Sequence, residues 1–128
     1  MEFNAYKMDG LGNDFIIIDR RESSINLTKE KIIELGDRSN IGFDQIIFID
    51  KKKESSFPIK IFNSDGGEVS ACGNGSRCVA YLLGKNLNTK EIKLKTNNRV
   101  LNAKIVGNLK VELEMGKPLF SFEDIPLS

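Results

Sequence analysis

Short apolar runs rich in isoleucine, valine and phenylalanine recur along the chain: Phe3 to Met8, Phe15 to Asp19, Gln45 to Asp50, Pro58 to Phe62, Glu91 to Thr96, Val100 to Val106 and Leu109 to Met115. Runs of this length, bounded by turn residues, predict strands. Asn97-Asn98 and Gly107-Asn108 carry turn chemistry between the last of them, where Val111, Leu113 and Met115 alternate with Glu112 and Glu114. The final third therefore reads as an antiparallel meander of hairpins.

Two segments follow helical periodicity instead. The first opens at Thr28, a suitable N-cap with Glu30 in the first turn, sets Ile32, Ile33 and Leu35 on one face, and stops at or just after Gly36. The second runs from about Gly73 to Leu83 and closes at Gly84. Its residues Cys78, Val79, Ala80, Tyr81, Leu82 and Leu83 are apolar on nearly every side. A helix of that kind has to be enclosed, so the expected α+β architecture is a strongly curved mixed or antiparallel sheet, a partial barrel wrapped around a central helix.

Composition narrows the function classes. The 128 residues suit one domain, and 19 basic against 18 acidic residues leave a net charge of +1 with no long block of either sign. Lys51-Lys52-Lys53 is followed by Glu54 between two apolar strands and reads as a solvated loop, so no nucleic-acid partner is expected. No apolar stretch approaches the ~20 residues of a membrane span, and Met1-Glu2-Phe3-Asn4 lacks the features of a signal peptide. A cytoplasmic protein with no membrane partner is the expectation.

The two cysteines, Cys72 and Cys78, are six positions apart. Along a helix that spacing spans roughly 9 Å, beyond disulfide reach, so both are expected as thiols in a reducing compartment. With no histidine and no Cys-x-x-Cys spacing, a zinc site is not expected.

The segment Cys72-Gly73-Asn74-Gly75-Ser76-Arg77-Cys78 lies where the turn-rich Asn63-Ser64-Asp65-Gly66-Gly67 stretch gives way to the second helix. A helix N-terminus carries unpartnered N–H groups and partial positive charge, which favour a thiolate. Cys72 is thus a candidate base or nucleophile, one that has to work without imidazole. Glycines at 73 and 75 clear side chains from the amide groups, so an anionic ligand could approach the backbone. The alternatives fit less well. Gly73-Asn74-Gly75 has Cys78 where a dinucleotide fingerprint needs its third glycine, and Gly10-Leu11-Gly12 has Phe15 there. Cys78, deeper in the helix, reads as core. Arg77 either points to solvent from the enclosed helix or pairs with a carboxylate such as Asp65 or Glu68, the second reading being preferred. Asn13, Gln45 and Asn63 sit at strand edges beside turns, where ligand-binding groups are commonly presented.

Three separated motifs give the chain a family likeness: Lys7-Met8-Asp9-Gly10-Leu11-Gly12-Asn13-Asp14-Phe15, Gly42-Phe43-Asp44-Gln45, and Asn63-Ser64-Asp65-Gly66-Gly67-Glu68 running on to Cys72 through Cys78. In order and spacing they resemble the N-terminal half of diaminopimelate epimerases, cofactor-independent enzymes of lysine and peptidoglycan biosynthesis. Related proline racemases usually carry histidine where Asn74 stands, and phenazine-pathway isomerases lack the cysteine.

The resemblance implies two pseudo-symmetric domains, each a curved sheet around a helix, with the substrate between them. Residues 1–117 would form the first domain and 118–128 the start of the crossover to an absent C-terminal domain. It implies that Cys72 is one of two catalytic cysteines, that Asn13, Gln45, Asn63, Gly73 and Asn74 contact a small-molecule substrate, diaminopimelate, and that no cofactor is needed. Inversion at an α-carbon requires a base on one face and an acid on the other, which a thiolate and an opposing thiol supply. On this reading the chain alone is an inactive half-site, and assembly as a homodimer is open for the full-length family member. A non-catalytic fragment, a thiol redox-sensing module and a proline-type racemase remain as alternatives.

Overall fold

A computed structural model describes residues 4–10, 13–23, 25–37, 42–69, 73–96, 99–108 and 110–118. The elements run β1 (Asn4–Gly10), β2 (Asn13–Asp19), α1 (Lys29–Gly36), β3 (Gln45–Ile49), β4 (Phe57–Asn63), β5 (Glu68–Val69), α2 (Gly73–Leu87), β6 (Glu91–Thr96), β7 (Arg99–Gly107) and β8 (Lys110–Pro118). Among the described residues the strands form one curled mixed sheet in the order β1-β2-β3-β4-β6-β7-β8, with the short β5 alongside β4.

Each helix is the crossover between two neighbouring parallel strands. α1 joins β2 to β3, and α2, with β5 before it, joins β4 to β6. A parallel pair cannot be closed by a tight turn, which is why a helix occupies both connections. All other strand pairs are antiparallel, including the β6-β7-β8 meander expected from the turn residues.

The two helices lie on opposite faces of the sheet, and the strand sequences show the consequence. Phe15, Ile17, Ile47, Ile49, Ile59 and Ile61 pack with Val79, Ala80 and Leu83 of α2. Ile18, Ile46 and Phe48, from alternate positions of the same strands, pack with Ile32 of α1 and with Phe43. Side chains of a strand alternate between faces, so a strand covered on both sides is apolar at every position. That accounts for the unbroken Phe15 to Ile18 and Ile46 to Ile49 runs, both bordered by polar residues where the helices end. On β6 only alternate residues, Ile92, Leu94 and Thr96, are buried.

α2 lies against β1, β2, β3, β6, β7 and β8, so the sheet forms a half-barrel around it. Cys78, Val79, Ala80 and Leu83 are buried, whereas Tyr81 and Leu82 are half-buried, and the Tyr81 hydroxyl donates to Asn108 Oδ1 at 3.0 Å. α1 matches its expected limits, with Thr28 Oγ1 accepting from the Lys31 N–H at 3.1 Å.

Two expectations are corrected. The second helix does not close at Gly84 but continues to Leu87. A Cβ at Gly84 would lie 2.0 Å from Ile105 Cδ1 and 2.8 Å from the Thr89 carbonyl oxygen, so this glycine serves close packing. The left-handed residue that follows the helix is Asn88, at φ 54. Ile33 does not share the buried face of Ile32, being 44% exposed. Successive helical residues are about 100° apart, and the core covers the stripe through Ile32, Leu35 and Gly36. Phe3, Leu109 and the Asn97-Asn98 turn lie outside the described residues.

At the C-terminal end of α2, Arg21 forks onto Asp19 at 2.9 and 2.7 Å and reaches Asn86 Oδ1 at 3.1 Å, tying the end of β2 to the helix. The guanidinium hydrogen bonds hold the Asp19 carboxyl below its ordinary value of 3.8, against the opposing effect of burial. Folding lowers this pKa, so the stabilisation is complete above the ordinary carboxyl range and is lost as pH falls through the lower folded value. Asp19→Asn is expected to cost about 1 kcal/mol at pH 7, with the difference from the parent shrinking as pH falls below the ordinary carboxyl range, as measured by urea unfolding across a pH series.

Candidate functional site

The N-terminal end of α2 and three strand ends meet at one end of the half-barrel. Gln45 opens β3 and pairs with Phe15 of β2 on one side and Asn63, the last residue of β4, on the other. Asn13 opens β2, two positions before Phe15. Val69 and Glu68 pair with Ile61 and Phe62, which carries the chain back along β4 before α2 begins at Gly73. The C-terminal end of α2, against Thr89 and Ile105, is at the far end of the half-barrel.

Gln45 and Asn63 share the alternation of Ile47, Ile49, Ile59 and Ile61, the residues packed with α2, and so lie on the concave side of the sheet. They touch: Gln45 Nε2 donates to Asn63 Oδ1 at 2.9 Å. The other end of the Gln45 amide, Oε1, is buried and has no hydrogen-bond partner among the described residues. A buried acceptor left in that state carries a desolvation cost of about 1–3 kcal/mol, which a bound donor would remove.

The backbone around Asn63 is fixed by a tight turn. Its N–H donates to the Gly67 carbonyl at 2.8 Å, and its carbonyl accepts from the Gly66 N–H at 2.9 Å. Gly66 takes φ +86, and a Cβ there would sit 2.5 Å from Lys29 Cγ on α1, so both conformation and space call for glycine.

Of the residues singled out from sequence, Gln45 and Asn63 are thus in contact, and Asn13 starts the neighbouring strand. Gly73 and Asn74 are the first two residues of α2, with side chains outside the description. Cys72 lies outside the described residues. No acidic residue occupies the first turn of α2, so the positive end of its dipole is not offset from within the helix. Cys78 is buried in the α2 core, as expected. The expected ion pair of Arg77 is not found: among the described residues Arg77 has no ionic partner, and Asp65 Oδ1 accepts instead from the Gly67 N–H at 2.8 Å. A carboxylate two residues before a turn amide is satisfied locally, at lower entropic cost than by ordering a long arginine.

Sequence reading missed two features here. Ser76, in the first turns of α2, is 0% exposed with an Oγ that has no partner among the described residues. Asp44 accepts from the Asp14 N–H at 2.8 Å. No local signal marked the second, because the two residues are thirty positions apart and meet only through the pairing of β2 with β3. A groove of ≈ 880 Å³ lined by Phe57, Leu87, Glu91 and Lys104 includes none of the candidate residues. No described helix is long and apolar enough to cross a membrane.

Comparison with known proteins places this geometry in context. The chain is 53% identical over its full length to the diaminopimelate epimerase of Pelagibacter ubique, covering 47% of that protein. It is 40% identical over 123 residues to that of Acidiphilium cryptum, covering 95% of this chain and 44% of the relative. The chain thus spans about half the length of the curated relatives it matches. Among solved structures, a predicted epimerase from Pseudomonas aeruginosa superposes with a TM-score of 0.64 at 17% identity, covering 89% of this chain and 42% of the other. A phenazine biosynthesis protein of the PhzF family from Enterococcus faecalis gives a TM-score of 0.63 at 15% identity, covering 81% and 40%. These two likenesses establish the fold, a curled sheet around a helix. The family profile described as diaminopimelate epimerase matches residues 5–121, and with it the chain belongs to the diaminopimelate epimerase family.

Proposed function

We propose that this chain forms the first half of a diaminopimelate epimerase, interconverting LL- and meso-2,6-diaminopimelate in lysine and peptidoglycan biosynthesis. Residues 1–117 make its N-terminal domain and 118–128 begin the crossover to a second domain. Cys72, as thiolate, takes the substrate's α-hydrogen as a proton and becomes a thiol. The electron pair left on carbon delocalises into the α-carboxylate, which the N–H groups at Gly73 and Asn74 stabilise at the positive end of α2. A thiol from the second half returns a proton to the opposite face, which inverts the centre and leaves a thiolate there. No electrons are gained or lost overall, and the two cysteines carry both proton transfers, in keeping with the cofactor independence that the family resemblance implies.

The observation that carries this reading is the Gln45–Asn63 amide pair at the N-terminal end of α2, with a buried acceptor awaiting a donor. An ammonium supplies such a donor, and the neutral amides of Gln45, Asn63 and Asn13 recognise a zwitterionic end without adding net charge. Proline-type substrates offer no second charged end for these amides to bind.

The test compares the 128-residue chain alone with the same chain joined to the second half of the Pelagibacter ubique relative. Deuterium incorporation at the α-carbon of LL-diaminopimelate is followed in D2O. Exchange and epimerisation are expected only in the joined protein. Turnover by the chain alone would overturn the two-half assignment, and its absence from a folded joined protein would overturn the substrate.

A further inference from the structure

Three contacts, one through its carboxylate and two through its main chain, converge on one residue beside the candidate site. Asp44 Oδ2 accepts from the Asp14 N–H at 2.8 Å, the Asp44 N–H donates to the Asp14 carbonyl at 3.0 Å, and the Asp44 carbonyl accepts from the Ser64 N–H at 3.2 Å. Asp14 follows Asn13, Asp44 precedes Gln45, and Ser64 follows Asn63. Each amide-bearing residue is therefore one peptide away from a group bonded to Asp44. β2 and β3 are parallel neighbours, and β3 and β4 are antiparallel neighbours, so one residue ahead of β3 can reach both flanking strands where their ladders stop.

The geometry points to Asp44 as a positioning residue: it ties the open ends of β2, β3 and β4 into one rigid edge and so fixes the spacing of Asn13, Gln45 and Asn63. The β2–β3 ladder stops at Phe15–Gln45, so on that side the Asp44 carboxylate adds the tie that the ladder lacks, and a backbone held on both sides leaves a side-chain amide fewer positions to sample. A backbone–carboxylate bond is stronger than a neutral one and holds the β2 end in place. Asp44 itself touches no reacting atom in this scheme. Its role rests on the substrate reading given above only for what the three amides bind, whereas the tie between strand ends is independent of it.

Two measurements separate these levels. In the 128-residue chain, the Asp14 backbone amide and the side-chain amide signals of Gln45 and Asn63 are followed by 15N NMR. Asp44→Ala, which keeps both main-chain bonds and loses only the carboxylate, is expected to raise hydrogen exchange of the Asp14 backbone amide about tenfold and to shift the Gln45 side-chain signal, while Asp44→Asn, which keeps a carbonyl acceptor, restores most of the parent pattern. In the joined two-half protein, Asp44→Ala is expected to raise KM for diaminopimelate about tenfold, with kcat changed less than about threefold and the alkylation rate of Cys72 unaltered. Asp19→Asn, destabilising at the opposite end of β2, serves as the control and should leave all of these unchanged. If Asp44→Ala does not fold, Asp44→Asn and Asp44→Ser carry the comparison, with serine too short to reach the Asp14 N–H.

Unchanged amide signals in Asp44→Ala, or equal losses in Asp19→Asn, would overturn the positioning role. Altered amide signals in a joined protein that lacks turnover would retain the role and remove the substrate assignment instead.

Discussion

Cys72→Ala, introduced into a protein carrying both halves, is expected to lower kcat for diaminopimelate about 10³-fold while KM shifts by less than about threefold. The split follows from where the groups reside. Gln45 and Asn63 are held by the sheet and bond each other across β3 and β4, so substrate recognition does not depend on the cysteine. In the mechanism proposed above, proton transfer does. With no histidine in the 128 residues, the proposed proton transfer has no imidazole to fall back on once the thiol is removed. Cys72→Ser is expected to fare little better, since an alcohol is a far weaker acid than a thiol and is scarcely ionised even beside a helix N-terminus. Steady-state kinetics with deuterium wash-in checks both variants, and activity within tenfold of the parent would remove Cys72 from the mechanism.

The second large effect concerns stability. Phe15→Ala is expected to cost about 3–5 kcal/mol, read as a fall in the urea midpoint with an unchanged slope. Phe15 is 0% exposed within the cluster beneath α2, paired with Met8 on β1 and Gln45 on β3. Removing its ring leaves a void that the neighbouring isoleucines, stiff at χ1, fill poorly. Total stabilities of ordinary domains are about 5–15 kcal/mol, so such a variant retains little margin. Because Phe15 adjoins the Gln45–Asn63 pair in register, the same substitution should loosen the amides at temperatures below its unfolding transition. A loss under about 1 kcal/mol would show that this end of the core is not closely packed.

Much of the molecule was legible from local pattern. The strands were visible because β-branched and aromatic runs favour a pleated surface wherever it lies. α1 was bounded by its own cap, with Thr28 bonding the Lys31 N–H three residues on. The three motifs in their order identified the family, and Gln45 and Asn63 were marked by being polar amides at strand ends. Pattern failed where a residue's role depended on what arrives from far along the chain. Gly84 looked like a stop signal, and only the approach of Ile105, from β7, made it a packing glycine inside a longer helix. Arg77 looked like half of an ion pair, but Asp65 is satisfied within its own turn.

What the sequence by itself determined is the set of elements and the chemistry available to them, because propensity, capping and turn formation are settled by neighbours within a few positions. The tertiary structure alone decided which side of the sheet each residue faces, separating Ile46 from Ile47 into different cores, and it alone brought Asp14, Asp44 and Ser64 together. Those outcomes depend on strand register and helix crossover. Both are fixed by the free energy of burying two faces at once, a sum over residues distant in sequence that no local window contains.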